Sequence, residues 1–168
     1  MVVASGCQGR SPRRIRSISK GLSLPDIEAR PSCDIVRGVA EAHAARTGVP
    51  VTVTCDMAGP DGLAQAVKIC LFRFVQEGLN NAWRYAGGAA QEVALSFRSG
   101  ILRLSVRDRG PGIAVAASGL PEGGGDFSGI GLAGLRNRVA SLGGTCTVRN
   151  RTDGPGTEIA MELDTRGT

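Results

Sequence analysis

Laid on a helix at about 100° per residue, the stretch 70–86 (CLFRFVQEGLNNAWRYA) divides into two faces. Leu71, Phe72, Val75, Leu79, Ala82 and Ala86 form an apolar stripe suited to packing on a sheet. Arg73, Glu77, Asn80, Asn81 and Arg84 lie opposite, and on this segment alone they read as a solvated face. Residues 32–47 carry Ile35, Val36, Val39, Ala40, Ala42 and Ala44 and end before Gly48, the pattern of a helix with its stop signal. Residues 49–55 (VPVTVTC) alternate with β-branched side chains and predict a strand, followed by a turn over 56–62. The long helix then begins near Leu63. Residues 92–98, with Val93, Leu95 and Phe97 inward, and 101–108, with Leu102, Leu104 and Val106 inward, predict two strands joined by a Ser99-Gly100 turn. A Gly-rich stretch over 110–129 has no period. A helix over 131–142 stops at Gly143-Gly144. Residues 145–150 and 156–163 make a second hairpin around Thr152-Asp153-Gly154. This order predicts an α+β two-layer sandwich, a mixed and mostly antiparallel sheet covered on one face by helices. The hairpin connections argue against a doubly wound parallel fold.

Composition narrows the function classes. With 168 residues, the chain has room for one domain with a core and short extensions. We divide it into an N-terminal tail over 1–25 and a domain over 26–165. Residues 1–9 read as disordered, and the basic segment 13–22 as the end of a helix that begins in sequence not present here. Aromatic residues make up only 4%, which argues against a stacking platform for single-stranded nucleic acid. The net charge of +5 suits an anionic ligand such as a nucleoside triphosphate, and part of it sits in the N-terminal segment, where it suits a solvated tail or an acidic partner. The five cysteines are far apart and form no C-x-x-C pair, so neither a zinc site nor a disulfide framework is expected. No apolar run reaches membrane-spanning length and no signal-peptide core is visible, so a soluble cytoplasmic domain is expected.

Three features carry candidate chemistry. Strand alternation places Asp108 on the same face as Leu102, Leu104 and Val106. A carboxylate on a buried face needs partners. It serves either as the cap of the D-R-G-P-G turn or as an acceptor for a ligand donor such as an exocyclic amine, with Gly110 and Gly112 letting backbone approach the ligand. The second feature is the loop to Gly129, long for a compact domain, which runs into a helix N-terminus suited to phosphates. The third is Glu77 with Asn81, four residues apart on one helix face. The carboxylate is suited to orienting or deprotonating a nucleophile, and the amide oxygen to Mg²⁺. Arg84, one turn on, is placed to meet phosphate. The run GIGLAG at 129–134 matches G-x-G-x-x-G, yet a polar loop precedes it where a dinucleotide site requires a strand, and no P-loop is present.

In order and spacing these features resemble the GHKL (Bergerat) ATPase superfamily, and within it the catalytic ATP-binding domain of bacterial sensor histidine kinases. The group it looks most like is the nitrate-sensor and DesK-like kinases that pair with LuxR-type response regulators. Residues 76–84 (QEGLNNAWR) look like the N box, 108–113 (DRGPGI) like the G1 box, and 129–132 (GIGL) like G2. Residues 134–139 (GLRNRV), Gly143-Gly144 and Gly156-Thr157 also follow the family pattern. The resemblance implies ATP and Mg²⁺ as ligands, with Asn81 on the metal and Glu77 assisting phosphoryl transfer. It implies Asp108 on the adenine amine with Thr157 near the base, and Gly110, Gly112 and Ile113 in the adjoining turn. Arg84 and Tyr85 would meet phosphate or ribose, and Gly129, Gly131 and Leu132 would flank the phosphates. Tyr85 stands where this kinase group commonly has His. His43, the single histidine, lies on the helix before the first strand without a dimerisation-helix motif and reads as a surface or packing residue. The implied acceptor histidine therefore lies outside the chain, on a dimerisation domain, with a response regulator as indirect partner. The chain then reads as an excised or naturally truncated kinase catalytic domain, with 13–22 resembling the end of the second dimerisation helix. Two alternatives stay open: a nucleotide-gated interaction module without transfer activity, and an anti-sigma-type serine kinase.

Overall fold

The computed structural model describes residues 27–58, 61–113 and 130–166. The elements among the described residues are, in chain order, α1 (Ser32–Thr47), β1 (Val51–Met57), α2 (Gln65–Ala86), β2 (Gln91–Arg98), β3 (Ile101–Arg107), α3 (Ile130–Ser141), β4 (Thr145–Asn150) and β5 (Thr157–Asp164). The strands form one sheet in the order β1-β2-β3-β5-β4. Only β1 and β2, joined through α2, run parallel; the other pairs are antiparallel.

Register turns the alternation of the sequence into two faces. Val53, Val93, Val106, Ile159 and Val148 stand side by side across all five strands, and so do Cys55, Leu95, Leu104, Met161 and Cys146. A third row runs Met57, Phe97, Leu102, Leu163. These rows meet the buried faces of the helices in one hydrophobic core, while the reverse face carries rows of charge. Glu158 there lies between Arg107 at 2.6 Å and Arg149 at 2.6 Å, and Arg103 pairs with Glu162 at 2.7 Å. The predicted two-layer α+β arrangement is the one observed.

Helix α2 is the central covering element, with α1 on one side and α3 on the other. It buries Leu71, Val75, Leu79 and Ala82 as its stripe predicts, but also Val67, Cys70 and Phe74, while Phe72 and Ala86 stay half-exposed. The buried face is wider because α2 touches two helices as well as the sheet. Gly78 lets it descend onto β3: a Cβ there would sit 2.8 Å from Val106 Cγ2. The helix ends at Gly87, whose φ of 61° is left-handed. At its start Lys68 is buried, with Nζ donating to the carbonyls of Glu28 (3.1 Å) and Arg30 (2.9 Å). Asp61, from the preceding loop, receives Ser32 N and Ser32 Oγ and so satisfies the N-terminus of α1, which has no cap of its own.

Several boundaries differ from expectation. Strand β1 begins two residues late, at Val51, because Gly48 ends α1 in a left-handed turn and Pro50 has no N–H to give the ladder. Helix α2 starts at Gln65 rather than Leu63, and α3 is shifted one residue toward the N-terminus. The Ser99-Gly100 turn is as predicted, with φ of 51° and 77° at its two residues. The N-terminal segment and residues 114–129, which include Gly129 and most of the Gly-rich loop, lie outside the described residues.

His43 is a packing residue, 5% exposed on α1. Its Nδ1 lies 3.2 Å from Arg46 Nη2, which also donates to Asn80 Oδ1 at 2.5 Å on α2. Burial, and then the Arg46 charge, lower its pKa below 6.5, against a smaller opposing contribution from Gln91. The folded state thus prefers the neutral ring. Its contribution to stability is complete above the unfolded pKa and is lost as pH falls through the lower folded value. We expect the urea midpoint to fall from about pH 7 to about pH 5, with a shallower fall for His43→Gln; equal slopes in the two proteins would contradict this placement.

Candidate functional site

The site is built where α2 crosses the C-terminal end of β3. Asp108 follows the last residue of β3, where the strand's inward alternation leaves its side chain 7% exposed. Its Oδ1 accepts from two backbone amides, Gly110 N at 2.8 Å and Thr157 N at 3.2 Å, and its own N–H donates to Thr157 O at 3.1 Å. Two glycines make room for this arrangement. A Cβ on Gly156 would run into the Asp108 carbonyl oxygen, and one on Gly110 would run into Ala86. Behind the turn, Arg151 is buried, donating to both carboxylate oxygens of Asp153 at 2.9 and 2.8 Å and to Asp108 O at 3.4 Å. Hydrogen bonding to Arg151 holds the Asp153 carboxyl well below the usual carboxylate range.

A cavity opens beside Asp108 between α2 and the sheet. Gly78, Asn81, Ala82, Tyr85 and Ala86 line it from the helix, and Val106, Asp108, Gly112, Thr157 and Ile159 from the other side. Its walls are largely apolar, with a few convergent polar groups, the usual make-up of a small-molecule site. Asn81 Nδ2 is buried there without a hydrogen-bond partner among the described residues.

One turn toward the N-terminus of α2, Glu77 is half-buried beneath the start of α3. Gly131 makes this approach possible, since a Cβ there would collide with Glu77 Oε1. Glu77 also lines an open cleft with Arg73, Gln76, Gly131, Gly134, Leu135 and Arg138. Arg73 bonds Gln76 Oε1 at 3.0 Å, and no described carboxylate pairs with Arg73 or Arg138.

Seven of the expected site residues therefore line these two openings, Glu77, Asn81, Tyr85, Asp108, Gly112, Gly131 and Thr157, and Gly110 is bonded to Asp108 through its N–H. Three are placed differently. Arg84 is exposed and lines neither opening, and the Leu132 side chain is buried in the hydrophobic core. Ile113 sits at the edge of the turn, its peptide held by the Asn150 side chain. Gly129 lies outside the described residues. Sequence reasoning missed Arg73, Arg138, Asn150 and Arg151. The arginines carry no periodic signal distinguishing them from solvated charge, and Asn150 at a strand end resembles any turn residue.

The described thiols line neither opening. Among the described residues Cys33, Cys55, Cys70 and Cys146 are free. Burial and then the neighbouring Cys33 push Cys55 up to about 12, and burial pushes Cys70 up to about 11, which disfavours the reactive thiolate.

Comparison with known proteins places these elements. Residues 66–167 match the family described as histidine kinase-, DNA gyrase B-, and HSP90-like ATPase. The chain is similar to the histidine-protein kinase/phosphatase UhpB of Salmonella typhimurium, 36% identical over 104 residues, covering 62% of this chain and 19% of UhpB. It is 31% identical over 112 residues to the sensor histidine kinase MctS of Rhizobium johnstonii, covering 66% of this chain and 23% of MctS. To the Escherichia coli nitrate/nitrite sensor NarX it is 27% identical over 140 residues, 83% of this chain and 21% of NarX. It thus spans about a fifth of the length of these relatives. In fold it is similar to the Erythrobacter litoralis blue-light activated histidine kinase, with a TM-score of 0.62 at 24% identity over 81% of this chain and 46% of that one. A complex of ShkA with AMPPNP gives 0.59 at 21% identity, over 84% of this chain and 33% of that one.

Proposed function

Because the chain belongs to the histidine kinase-, DNA gyrase B-, and HSP90-like ATPase family, we propose that it is the ATP-binding catalytic domain of a sensor histidine kinase, passing the γ-phosphate of ATP to a histidine outside this chain. The observation that carries this reading is the buried Asp108 carboxylate beside the cavity. Two backbone amides converge on Oδ1, so Oδ2 is the oxygen left to accept from an adenine amine. The apolar walls formed by Ala82, Val106 and Ile159 suit a purine ring, and Thr157 lies near its edge.

From the base, the ribose and phosphates run along the polar face of α2 toward Glu77. Tyr85 meets ribose or phosphate on the way, while Arg84 lies outside the cavity and reaches phosphate only from its rim. Gly131 and Leu132 contribute backbone at the phosphate end, where the resemblance to the family also assigns Gly129, and Arg73 and Arg138 add positive charge beside it. Glu77 is placed to accept a hydrogen bond from the attacking group and take its proton. Catalysis of this kind rests on positioning and electrostatics.

A magnesium ion fits the residues present. Among the described residues no group of three or more His, Cys, Asp and Glu is arranged to hold a metal. The buried, unpartnered atom of Asn81 is the donor Nδ2, which suits a phosphate or ribose oxygen. The Oδ1 oxygen of the same side chain is the atom that would take a cation whose other oxygens come from water and phosphate. When bound, Mg²⁺ neutralises phosphate charge, and Asn81 is the residue that would hold it.

Residues 26–165 form the ATP-binding unit in this reading, and 1–25 precede it as a tail related to a dimerisation helix. The partner is the dimerisation and phosphoacceptor domain of a histidine kinase, with a LuxR-type response regulator downstream. The cytoplasm, where ATP is available, is the proposed location; among the described residues no helix is long and apolar enough to cross a membrane. With radiolabelled ATP and Mg²⁺, we expect acid-labile label on a supplied dimerisation domain and none on this chain, whose single histidine is buried. ATP binding without any transfer would favour a nucleotide-gated interaction module instead, and acid-stable label on serine an anti-sigma-type kinase.

A further inference from the structure

We propose that Asn150 is a positioning residue of the nucleotide cavity, holding the turn that follows Asp108 in the conformation the ligand requires. The proposal rests on the cavity being the nucleotide site. Within that turn, Asp108 Oδ1 fixes Gly110 and the Arg109 amide donates to Ala89 O at 2.8 Å. Beyond Gly110 those restraints stop. Pro111 has no N–H to give, and Gly112 bends away with a left-handed φ of 79°.

The next peptide is caught by a side chain. Ile113 N donates to Asn150 Oδ1 at 2.6 Å, and Asn150 Nδ2 donates to Ile113 O at 2.9 Å. A primary amide thus pairs with a backbone unit at two points, as a neighbouring strand would. Asn150 is the last residue of β4, in register with Thr157 on β5, whose amide bonds Asp108. One residue therefore ties the Gly112 side of the cavity to the Thr157 side.

The match extends to Gly112. A Cβ there would stand 2.7 Å from Asn150 Oδ1, so the carboxamide occupies the space that a side chain at 112 would need. Asn150 itself is exposed, at the end of an edge strand and remote from the core. Its removal should therefore spare the fold and act on the turn.

The test compares wild type with Asn150→Ala and Asn150→Asp. ADP affinity is measured by calorimetry, thermal midpoints without nucleotide, and hydrogen exchange at the Ile113 amide without nucleotide. We expect the Ile113 amide to be protected in wild type and to exchange freely in Asn150→Ala. We expect ADP to bind Asn150→Ala about tenfold more weakly, the factor that loss of a typical net hydrogen-bond contribution gives, with the nucleotide-free midpoint within about 2 °C of wild type. In Asn150→Asp, which keeps the acceptor but opposes a carboxylate to Ile113 O, we expect a loss at least as large. An ADP affinity of Asn150→Ala within twofold of wild type overturns the proposal, as does a nucleotide-free midpoint that falls by several degrees in both variants. Wild type that binds no ADP overturns the nucleotide assignment instead. The exchange at Ile113 then still decides whether Asn150 holds the turn, and an unprotected Ile113 amide in wild type overturns that directly.

Discussion

Replacing Asp108 by Asn should lower ATP affinity by about a hundredfold or more, with little change in stability. The geometry explains why so small a change should act so selectively. The carboxylate is held from behind by Gly110 N and Thr157 N, both on Oδ1. An asparagine can keep those bonds by turning its carbonyl oxygen toward them. Its amino group then faces the cavity, where the proposed ligand presents an amine. One charge-assisted hydrogen bond, about 1.5–3 kcal/mol, is lost, and a donor is left facing a donor at a further cost of about 1–3 kcal/mol. Wild type should bind ATP or ADP in the micromolar range. Calorimetry decides the matter: undiminished binding by the variant would remove the adenine assignment, and a matching loss of thermal stability would recast Asp108 as a structural turn cap.

The residues that decide this result were partly legible in the sequence. Alternation along β3 by itself places Asp108 on the buried face, because Leu102, Leu104 and Val106 set the phase. The helical period does the same for Glu77 and Asn81, whose polar face turns out to line the two openings. What the sequence withholds is contact across long separations. Arg151 reaches Asp108 O from 43 residues away and Asn150 reaches Ile113 from 37. Both depend on the β4–β5 register, which no local pattern encodes. Phe74 illustrates a subtler gap. On a helix wheel it falls beside the stripe, yet it is fully buried because α1 and α3 flank α2 and widen the face that must be apolar. The glycines behave similarly. Gly131 reads as the start of a helix and Gly156 as the start of a strand, but each is small because another group, Glu77 Oε1 or Asp108 O, occupies the place of a side chain.

Changing Glu77 to Gln should separate binding from transfer. Glu77 lies one turn from Asn81 and half-buried under Gly131, so its carboxylate is held close to the phosphate end of the proposed nucleotide while the proposed base-binding residues, Asp108 and Thr157, line the other opening. Glutamine has nearly the same shape and preserves the packing against Gly131, but it cannot accept a proton. If Glu77 orients and deprotonates the attacking histidine, the initial rate of phosphate transfer to a supplied dimerisation domain should fall by about 10²–10⁴-fold, with ATP affinity nearly unchanged. Asn81→Ala should behave in the opposite order: it removes the amide proposed to hold Mg²⁺, so Mg²⁺-dependent ATP affinity should fall first and transfer fail with it. Measuring both variants in both assays gives each residue its own signature. A Glu77→Gln protein that transfers within threefold of wild type would reduce Glu77 to the seat on which α3 rests. Equal losses of affinity and of transfer rate in that variant would assign it to ground-state phosphate binding rather than to the chemical step.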